Sequence, residues 1–163
     1  MSRLLALFVL IIFVQPCFAE ECEPLPQKAE KYIKAFEKKV RGAEYCRFRD
    51  IAHGDINGDG VEDLVVVFNV EGACNKEKGR APGACGNHHE TYLKAFLGKE
   101  LKEIPTIEIG GRGMRLISSV KVIKDAVEVE TLTYGEQDAM CCPSVTGHTQ
   151  FAIQSGKFIE RHP

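Results

Sequence analysis

The pattern of hydrophobic and polar positions changes its period once along the chain. In the segment PQKAEKYIKAFEKKVRG, apolar side chains recur every three or four positions, as in an amphipathic helix. The apolar face consists of Ala29, Tyr32, Ile33, Phe36 and Val40. We expect this face to pack on a sheet, and Glu30 to pair with Lys34 one turn along the helix.

After residue 63 the pattern is that of β-strands. The run DLVVVFNV is nearly all apolar and largely β-branched, which predicts a central strand covered on both faces. The run TYLKAFL places Leu93, Ala95 and Leu97 on one side of a second strand. Two hairpins are predicted, RLISSVKVI with AVEVETLT around residues 124–125, and HTQFAIQ with KFIER around residues 155–156.

This order of elements predicts the fold class. One helix precedes five to seven strands with short connections. We therefore expect an α+β domain, with an N-terminal amphipathic helix packed on a mostly antiparallel sheet of five to seven strands. No repeat of 20 to 50 residues is visible, which argues against a propeller or a solenoid.

Residues 1–19 have the pattern of a secretory signal peptide. One positive charge, Arg3, precedes an apolar run, and the small residue Ala19 comes directly before Glu20. The apolar run is shorter than the roughly 20 residues that a membrane-spanning helix needs. We expect cleavage after Ala19 and a single domain over residues 20–163 that is periplasmic or secreted. A lipoprotein acylated at Cys17 is the alternative, which the preceding Gln15-Pro16 pair disfavours.

Composition narrows the class of partner. The chain has 21 Lys and Arg against 23 Asp and Glu, a formal net charge of −2. No basic stripe or aromatic-rich basic patch is present, so nucleic acid is not an expected partner. No second apolar segment is long enough to span a membrane in the mature chain. The expected partner is an unidentified protein or a component of the cell envelope.

Six cysteines follow the predicted signal peptide, an even number that favours disulfides in an exported chain. Cys22 and Cys46 flank the predicted helix and are expected to pair. Cys74 and Cys85 bracket a loop predicted at residues 71–89 and are also expected to pair. Cys141 and Cys142 are adjacent, so they either form a vicinal disulfide or pair with cysteines elsewhere.

A short acidic loop carries the clearest chemistry. In HGDINGDGVEDLVVVF, Asp55, Asn57, Asp59 and Asp63 fall at positions 1, 3, 5 and 9. Ca²⁺ takes six to eight oxygen ligands, and alternate residues of a tight loop can face one ion. The expected ligands are Asp55, Asn57, Asp59, the Val61 carbonyl and Asp63. An EF-hand also needs Glu at position 12, which is Val66 here. The alternatives are a metal-free turn and another hard cation such as Mg²⁺.

The same residues carry a resemblance to known proteins. GDINGDGVEDLVVVF resembles the calcium loops of FG-GAP/VCBS repeats, in which such a loop leads into a strand of an integrin-like propeller. The resemblance implies the same five calcium ligands. It covers about 16 residues, and those repeats come several to a chain whereas this chain has one. The propeller fold is therefore not expected.

A second resemblance covers about residues 50–160. The order of the loop, YLKAFLGKEL and a D-x-M-C-C-P segment resembles a group of small exported bacterial proteins of uncharacterised function. That segment consists here of Asp138, Met140, Cys141, Cys142 and Pro143. The resemblance implies a periplasmic or secreted bacterial protein and implies no activity. The insertion between Cys74 and Cys85 is not a feature of that group.

These observations favour a calcium-binding, disulfide-stabilised binding or envelope-associated module in which Ca²⁺ is structural. No G-x-S-x-G, H-E-x-x-H or phosphate-binding glycine loop occurs, which favours a non-catalytic role. The alternative is a redox protein using Cys141 and Cys142, or a copper protein that adds Met140 and His148 as ligands. A secreted hydrolase inhibitor is a further alternative.

Overall fold

The computed structural model describes residues 22–72, 88–139 and 141–161. These ranges contain one α-helix, α1 (Gln27–Val40), and one 3₁₀ turn, η1 (Cys46–Phe48). The strands are β1 (Ala43–Glu44), β2 (Asp50–Gly54), β3 (Asp63–Glu71), β4 (His89–Leu97), β5 (Lys102–Glu103), β6 (Ile107–Gly111), β7 (Leu116–Ile123), β8 (Ala126–Thr133), β9 (Val145–Gln154) and β10 (Lys157–Arg161). No helix of the described ranges has the length and apolar character to cross a membrane.

The strands form two antiparallel sheets. In the first, β3 and β4 pair along their length at the centre, with Leu64 opposite Phe96 and Glu71 opposite His89. Strands β1 and β2 pair with the other edge of β3, and β5 and β6 pair with the other edge of β4. The second sheet has the order β10-β9-β8-β7, so consecutive strands are neighbours. Both predicted hairpins are confirmed, as β7–β8 and β9–β10.

Strand β3 separates two apolar layers. Eight of its nine residues are buried. Its alternate residues Leu64, Val66, Phe68 and Val70 belong to the core cluster that includes α1. Val65 and Val67, between them, belong to the cluster shared with the second sheet. The prediction of a central strand covered on both faces is therefore confirmed.

Aromatic packing holds α1 on its side of the first sheet. Ala29 and Ile33 are fully buried, and the Phe36 ring packs edge-on against Tyr92 with ring centroids 4.7 Å apart. Phe36 also contacts Phe68 edge-on at 5.6 Å. Edge-to-face pairs of this kind contribute about 0.5–1.5 kcal/mol beyond their burial.

The second sheet covers the opposite face of β3 and β4. Its inward side chains Val127, Val129 and Phe151 are buried against Val65 and Leu93. Within the described residues, the Val120 amide of β7 donates to Asp50 Oδ2 of β2 at 2.7 Å and so joins the two sheets.

The predicted fold class is wrong. The described chain is mostly β, with one helix of 14 residues and two antiparallel sheets in place of a helix on a single sheet. The physical reason lies in the two central strands, which bury side chains on both faces. One helix can cover only one of those faces, so the C-terminal strands form a second sheet that covers the other.

A buried ion cluster and a disulfide fasten the segment before α1. The guanidinium of Arg49 donates to the carboxylates of Glu30 and Glu44 and to the Glu23 carbonyl. A disulfide joins Cys22 to Cys46 in η1, beside this cluster. Glu30 therefore forms its salt bridge with Arg49, whose hydrogen bond lowers the pKa of the Glu30 carboxyl, and the charge of Lys34 lowers the same pKa to a smaller extent, as a favourable Glu30–Lys34 pair predicts. The direct salt bridge of Lys34 is with Glu37, at 3.1 Å.

Candidate metal site

The acidic loop is the connection between β2 and β3. Strand β2 ends at Gly54, which pairs with Asp63 at the start of β3, so residues 55–62 project from one end of the first sheet. Gly58 and Gly60 both have φ of 78°, a backbone conformation that residues with a Cβ rarely adopt. These two glycines let the chain reverse direction tightly enough for the side chains of residues 55, 57 and 59 to fold back over the loop backbone.

Asp55 is the centre of the loop's hydrogen bonds. Its Oδ1 accepts from the backbone amides of Asn57, Gly58 and Asp59 at 3.2, 2.7 and 3.2 Å, and its Oδ2 accepts from Gly60 N at 2.7 Å. These bonds, the one from Gly60 first, lower the pKa of the Asp55 carboxyl. Backbone donors therefore provide part of the positive charge that this carboxylate requires.

Asn57 and Asp59 are oriented in the same way, each by the amide two residues later. Asp59 N donates to Asn57 Oδ1 at 2.9 Å, and Val61 N donates to Asp59 Oδ1 at 2.8 Å. The Asn57 side-chain amide also donates to Asp59 Oδ2 at 2.9 Å. Hydrogen bonds to the backbone thus fix the side chains at positions 1, 3 and 5, as supporting bonds do for metal ligands in general.

Asp63 differs from the other three because it is buried, with 1% of its surface exposed. Its Oδ2 accepts from Ile56 N at 3.0 Å, and its Oδ1 accepts from Gly98 N at 2.8 Å, in the turn that follows β4. Asp63 therefore ties the loop to β3 and to the neighbouring turn. Ile56, held by this bond, places its side chain in the core between the sheets.

The structure adds a carboxylate that sequence reasoning missed. Asp125, in the turn between β7 and β8, lies against the loop, and its Oδ1 is 3.3 Å from the point that a Cβ on Gly58 would occupy. Its sequence distance from the loop gave no signal of this proximity. Asp125 places a further negative charge beside Gly58 of the acidic loop.

A cavity of about 520 Å³ opens on another side of the loop. Asn57, Asp59 and Val61 line it together with the turn after β4. Lys99, Glu100 and Lys102 also line it, so both positive and negative charges lie close to Asn57 and Asp59 there. The loop therefore has acidic Asp125 close to Gly58 and a cavity of mixed charge close to residues 57–61.

The donor set fits a hard divalent cation in its chemistry, because carboxylate and amide oxygens are the ligands that Ca²⁺ takes. The carboxylates do not yet converge. Within the ranges that the structure describes, only Cys22, Glu44 and Cys46 bring three acidic, thiol or imidazole ligand atoms within 4.8 Å of one another. Those two cysteines are joined as a disulfide and are not metal ligands. Closure of the acidic loop around an ion therefore requires Asp55, Asp59 and Asp63 to approach one another.

The remaining cysteines lie outside the acidic loop. The structure joins Cys141 to Cys142 in the exposed connection between β8 and β9. Asp138 organises that connection, since its carboxylate accepts from Gly135 N, Ser144 N and the Ser144 hydroxyl. Cys74 and Cys85, with most of the predicted 71–89 insertion, lie outside the described residues, as does Met140.

Comparison with known proteins adds no relative. No family model, curated protein or solved structure matches this chain. The resemblance of the loop to FG-GAP/VCBS repeats accordingly stays a prediction based on the spacing of its residues.

Proposed function

We propose that the protein is an exported, disulfide-stabilised binding or envelope-associated module whose loop at residues 55–63 binds one Ca²⁺ ion. The observation that carries the proposal is the set of backbone hydrogen bonds that orient Asp55, Asn57 and Asp59, three oxygen donors at alternate positions. The ion's role is structural, because the loop connects two strands of the first sheet.

The ligands in this proposal are Asp55, Asn57, Asp59, the Val61 carbonyl and Asp63. The ion supplies a double positive charge that the backbone donors only partly replace. A side-chain oxygen has two lone pairs, and Asp55 Oδ2, Asn57 Oδ1 and Asp59 Oδ1 each accept a single backbone hydrogen bond, so each retains a lone pair for an ion. Binding draws the carboxylates together, which costs side-chain rearrangement. The expected dissociation constant is therefore in the range of extracellular modules, about 10⁻⁴–10⁻³ M.

Export is part of the same proposal. Disulfides persist in oxidising compartments outside the cytosol, and the structure contains the Cys22–Cys46 and Cys141–Cys142 bonds. Extracellular and periplasmic fluids can also provide calcium at the concentrations that a site of this affinity needs. The signal-peptide pattern at residues 1–19 supports the same compartment.

Thermal unfolding of the chelator-treated protein tests calcium binding. At ten times the dissociation constant, Ca²⁺ adds about 1.4 kcal/mol to the free energy of unfolding, which raises Tm by about 4 °C. The Asp59→Ala variant loses this rise, and Asp59→Asn, which keeps the acceptor for Val61 N, shows a smaller one.

Glu62→Gln is the matched control, because the Glu62 side chain is 74% exposed, adjoins Asp63 and is not a proposed ligand. It removes one negative charge from the loop and retains the full calcium response. An equal rise in Tm for Asp59→Ala and for the unmodified protein would place the ion elsewhere and contradict the proposal.

A further inference from the structure

A gap in the first sheet creates a second cavity, remote from the acidic loop. Strands β1 and β2 pair with the same edge of β3, but β2 reaches only Val67 and β1 begins only at Val70. The turn η1 lies between them, and there Tyr45 N donates to Asn69 O at 2.9 Å. Facing this gap, the pairing of β7 with β8 shifts register between Ile117 and Ser119.

The irregularities of both sheets meet at this cavity, whose volume is about 260 Å³. Bulges re-aim side chains and are common beside binding sites. The cavity shares no lining residue with the cavity beside the acidic loop. The polar side chains that line it include Arg47, Asp50, Asn69, Thr91, Ser118 and Ser119.

Asn69 gives the cavity a specific chemical requirement. The residue is 9% exposed, and its Oδ1 is a buried side-chain oxygen that has no hydrogen-bond partner within the described part of the chain. An unsatisfied buried acceptor costs about 1–3 kcal/mol. Such a group calls for an explanation, and a bound partner with an O–H or N–H donor would supply one.

The rim adds an aromatic surface. Phe48 is 53% exposed, lines the cavity and packs against Tyr45 with ring centroids 5.2 Å apart. An exposed aromatic ring beside a polar cavity offers its negative face to the weakly positive C–H groups of a ligand. The rim therefore favours a ligand that has an apolar face as well as hydroxyl groups.

The charges that line the cavity do not favour a strongly ionic ligand. Arg47, Arg49 and Asp50 line it, but the guanidinium of Arg49 is paired with the carboxylates of Glu30 and Glu44, so Arg47 and Asp50 remain to meet an anion or a cation. The unpaired oxygen of Asn69 also repels an anion. The volume lies below the roughly 300–1,000 Å³ of pockets for drug-sized molecules, which corresponds to a ligand of one ring.

We propose that the cavity between η1, β3 and β7 binds a neutral, hydroxyl-rich ligand the size of one sugar ring. Asn69 Oδ1 is almost fully shielded from solvent, so the Asn69 side chain turns toward the cavity for a ligand hydroxyl to donate to it, and the ring's C–H face lies on Phe48. The hydroxyls of Ser118 and Ser119 provide further donors and acceptors. This inference rests on the binding module proposed above and names the class of ligand that the module binds. The site itself does not include the calcium loop.

Saturation-transfer-difference NMR on the disulfide-intact protein tests the proposal. The probes are glucose, galactose, mannose and N-acetylglucosamine, with inorganic phosphate titrated separately by chemical-shift mapping as the charged alternative. We expect at least one sugar to give a saturable signal. Phe48→Ala and Asn69→Leu each weaken that signal at least tenfold. Ile159→Ala, which truncates another exposed apolar side chain, on β10, retains it.

Stability measurements separate lost binding from lost folding. Asn69→Leu removes an unsatisfied polar group, so its Tm equals or exceeds that of the unmodified protein while sugar binding falls. The sugar titrations are repeated in the presence of a chelator, where we expect sugar binding to persist. A failure of the calcium proposal is therefore distinguishable from a failure of this one. Absence of any saturable sugar signal, phosphate binding in its place, or signals that survive both cavity substitutions would overturn the inference.

Discussion

Replacement of Asp63 should show how much the acidic loop contributes to stability without any ion. Asp63 is almost fully buried and accepts two backbone hydrogen bonds, from Ile56 N and Gly98 N. Hydrogen bonds to charged groups contribute about 1.5–3 kcal/mol each. Because the bond to Gly98 is only part-buried, we expect Asp63→Ala to lower the free energy of unfolding by about 3 kcal/mol in the presence of chelator. That loss corresponds to a fall in Tm of about 10 °C.

Urea unfolding followed by circular dichroism measures this difference directly. Glu62→Gln is again the control, since an exposed substitution of this kind changes stability by about 0.5 kcal/mol or less. The slope of the unfolding free energy against urea should stay unchanged, because the fold is retained. If Asp63→Ala unfolds within about 0.5 kcal/mol of the unmodified protein, the two hydrogen bonds do not fasten the loop and the structural role assigned to Asp63 is refuted.

Three further predictions concern other parts of the molecule. Arg49→Met leaves the fully buried carboxylate of Glu44 without its partner, so urea unfolding should register a loss of about 3–5 kcal/mol, and a loss below about 1 kcal/mol would contradict this. Burial lowers the pKa of Lys94 below its usual 10.5 in the folded protein. Between that lowered pKa and about 10.5 the unfolded state binds more protons than the folded state, so the free energy of unfolding should rise with pH in this range. The Lys94→Met variant should lack this rise. If urea unfolding gives the variant and the unmodified protein the same dependence of stability on pH, the prediction is refuted. Thiol titration of the unfolded, unreduced mature protein should detect no free thiol, whereas two would favour a reduced Cys141–Cys142 pair.

Local sequence patterns predicted much of the second sheet and the central strand. The hairpins β7–β8 and β9–β10 follow from alternation around short turns, which is a property of neighbouring residues. The burial of β3 follows from its unbroken apolar run. The division into two sheets did not follow, because β4 also buries the polar residues Glu90 and Lys94 on its helix-facing side. A polar residue in a strand normally indicates a solvent-exposed face.

The buried polar residues of β4 have partners that the sequence does not reveal. Lys94 Nζ donates to the Ile104 carbonyl at 2.7 Å and lies 3.6 Å from the centre of the Tyr32 ring. Glu90 accepts a hydrogen bond from the Tyr92 hydroxyl. Glu90 and Tyr92 are alternate residues of one strand, but the contacts of Lys94 join residues that are distant in sequence, so a periodicity argument assigns Lys94 to the wrong environment.

The contacts of the candidate metal site are likewise partly local, and so predictable from the sequence, and partly tertiary. The backbone hydrogen bonds among Asp55, Asn57 and Asp59 are local and agree with the turn-forming chemistry of the loop sequence. The contacts of Asp125 with the loop and of Asp63 with Gly98 are tertiary and had no sequence signal. Asn69, whose side-chain oxygen is unpaired, lies at the interruption between two edge strands, which is also a tertiary feature without a sequence signal.

Calorimetric titration of Ca²⁺ into chelator-stripped protein tests the central claim most directly. The account predicts one site with a dissociation constant of about 10⁻⁴–10⁻³ M, and no heat of binding in Asp59→Ala. No heat of binding and no rise in Tm at about 10 mM Ca²⁺, ten times the weakest affinity expected, would contradict it. The backbone amides would then be sufficient to hold the acidic side chains together.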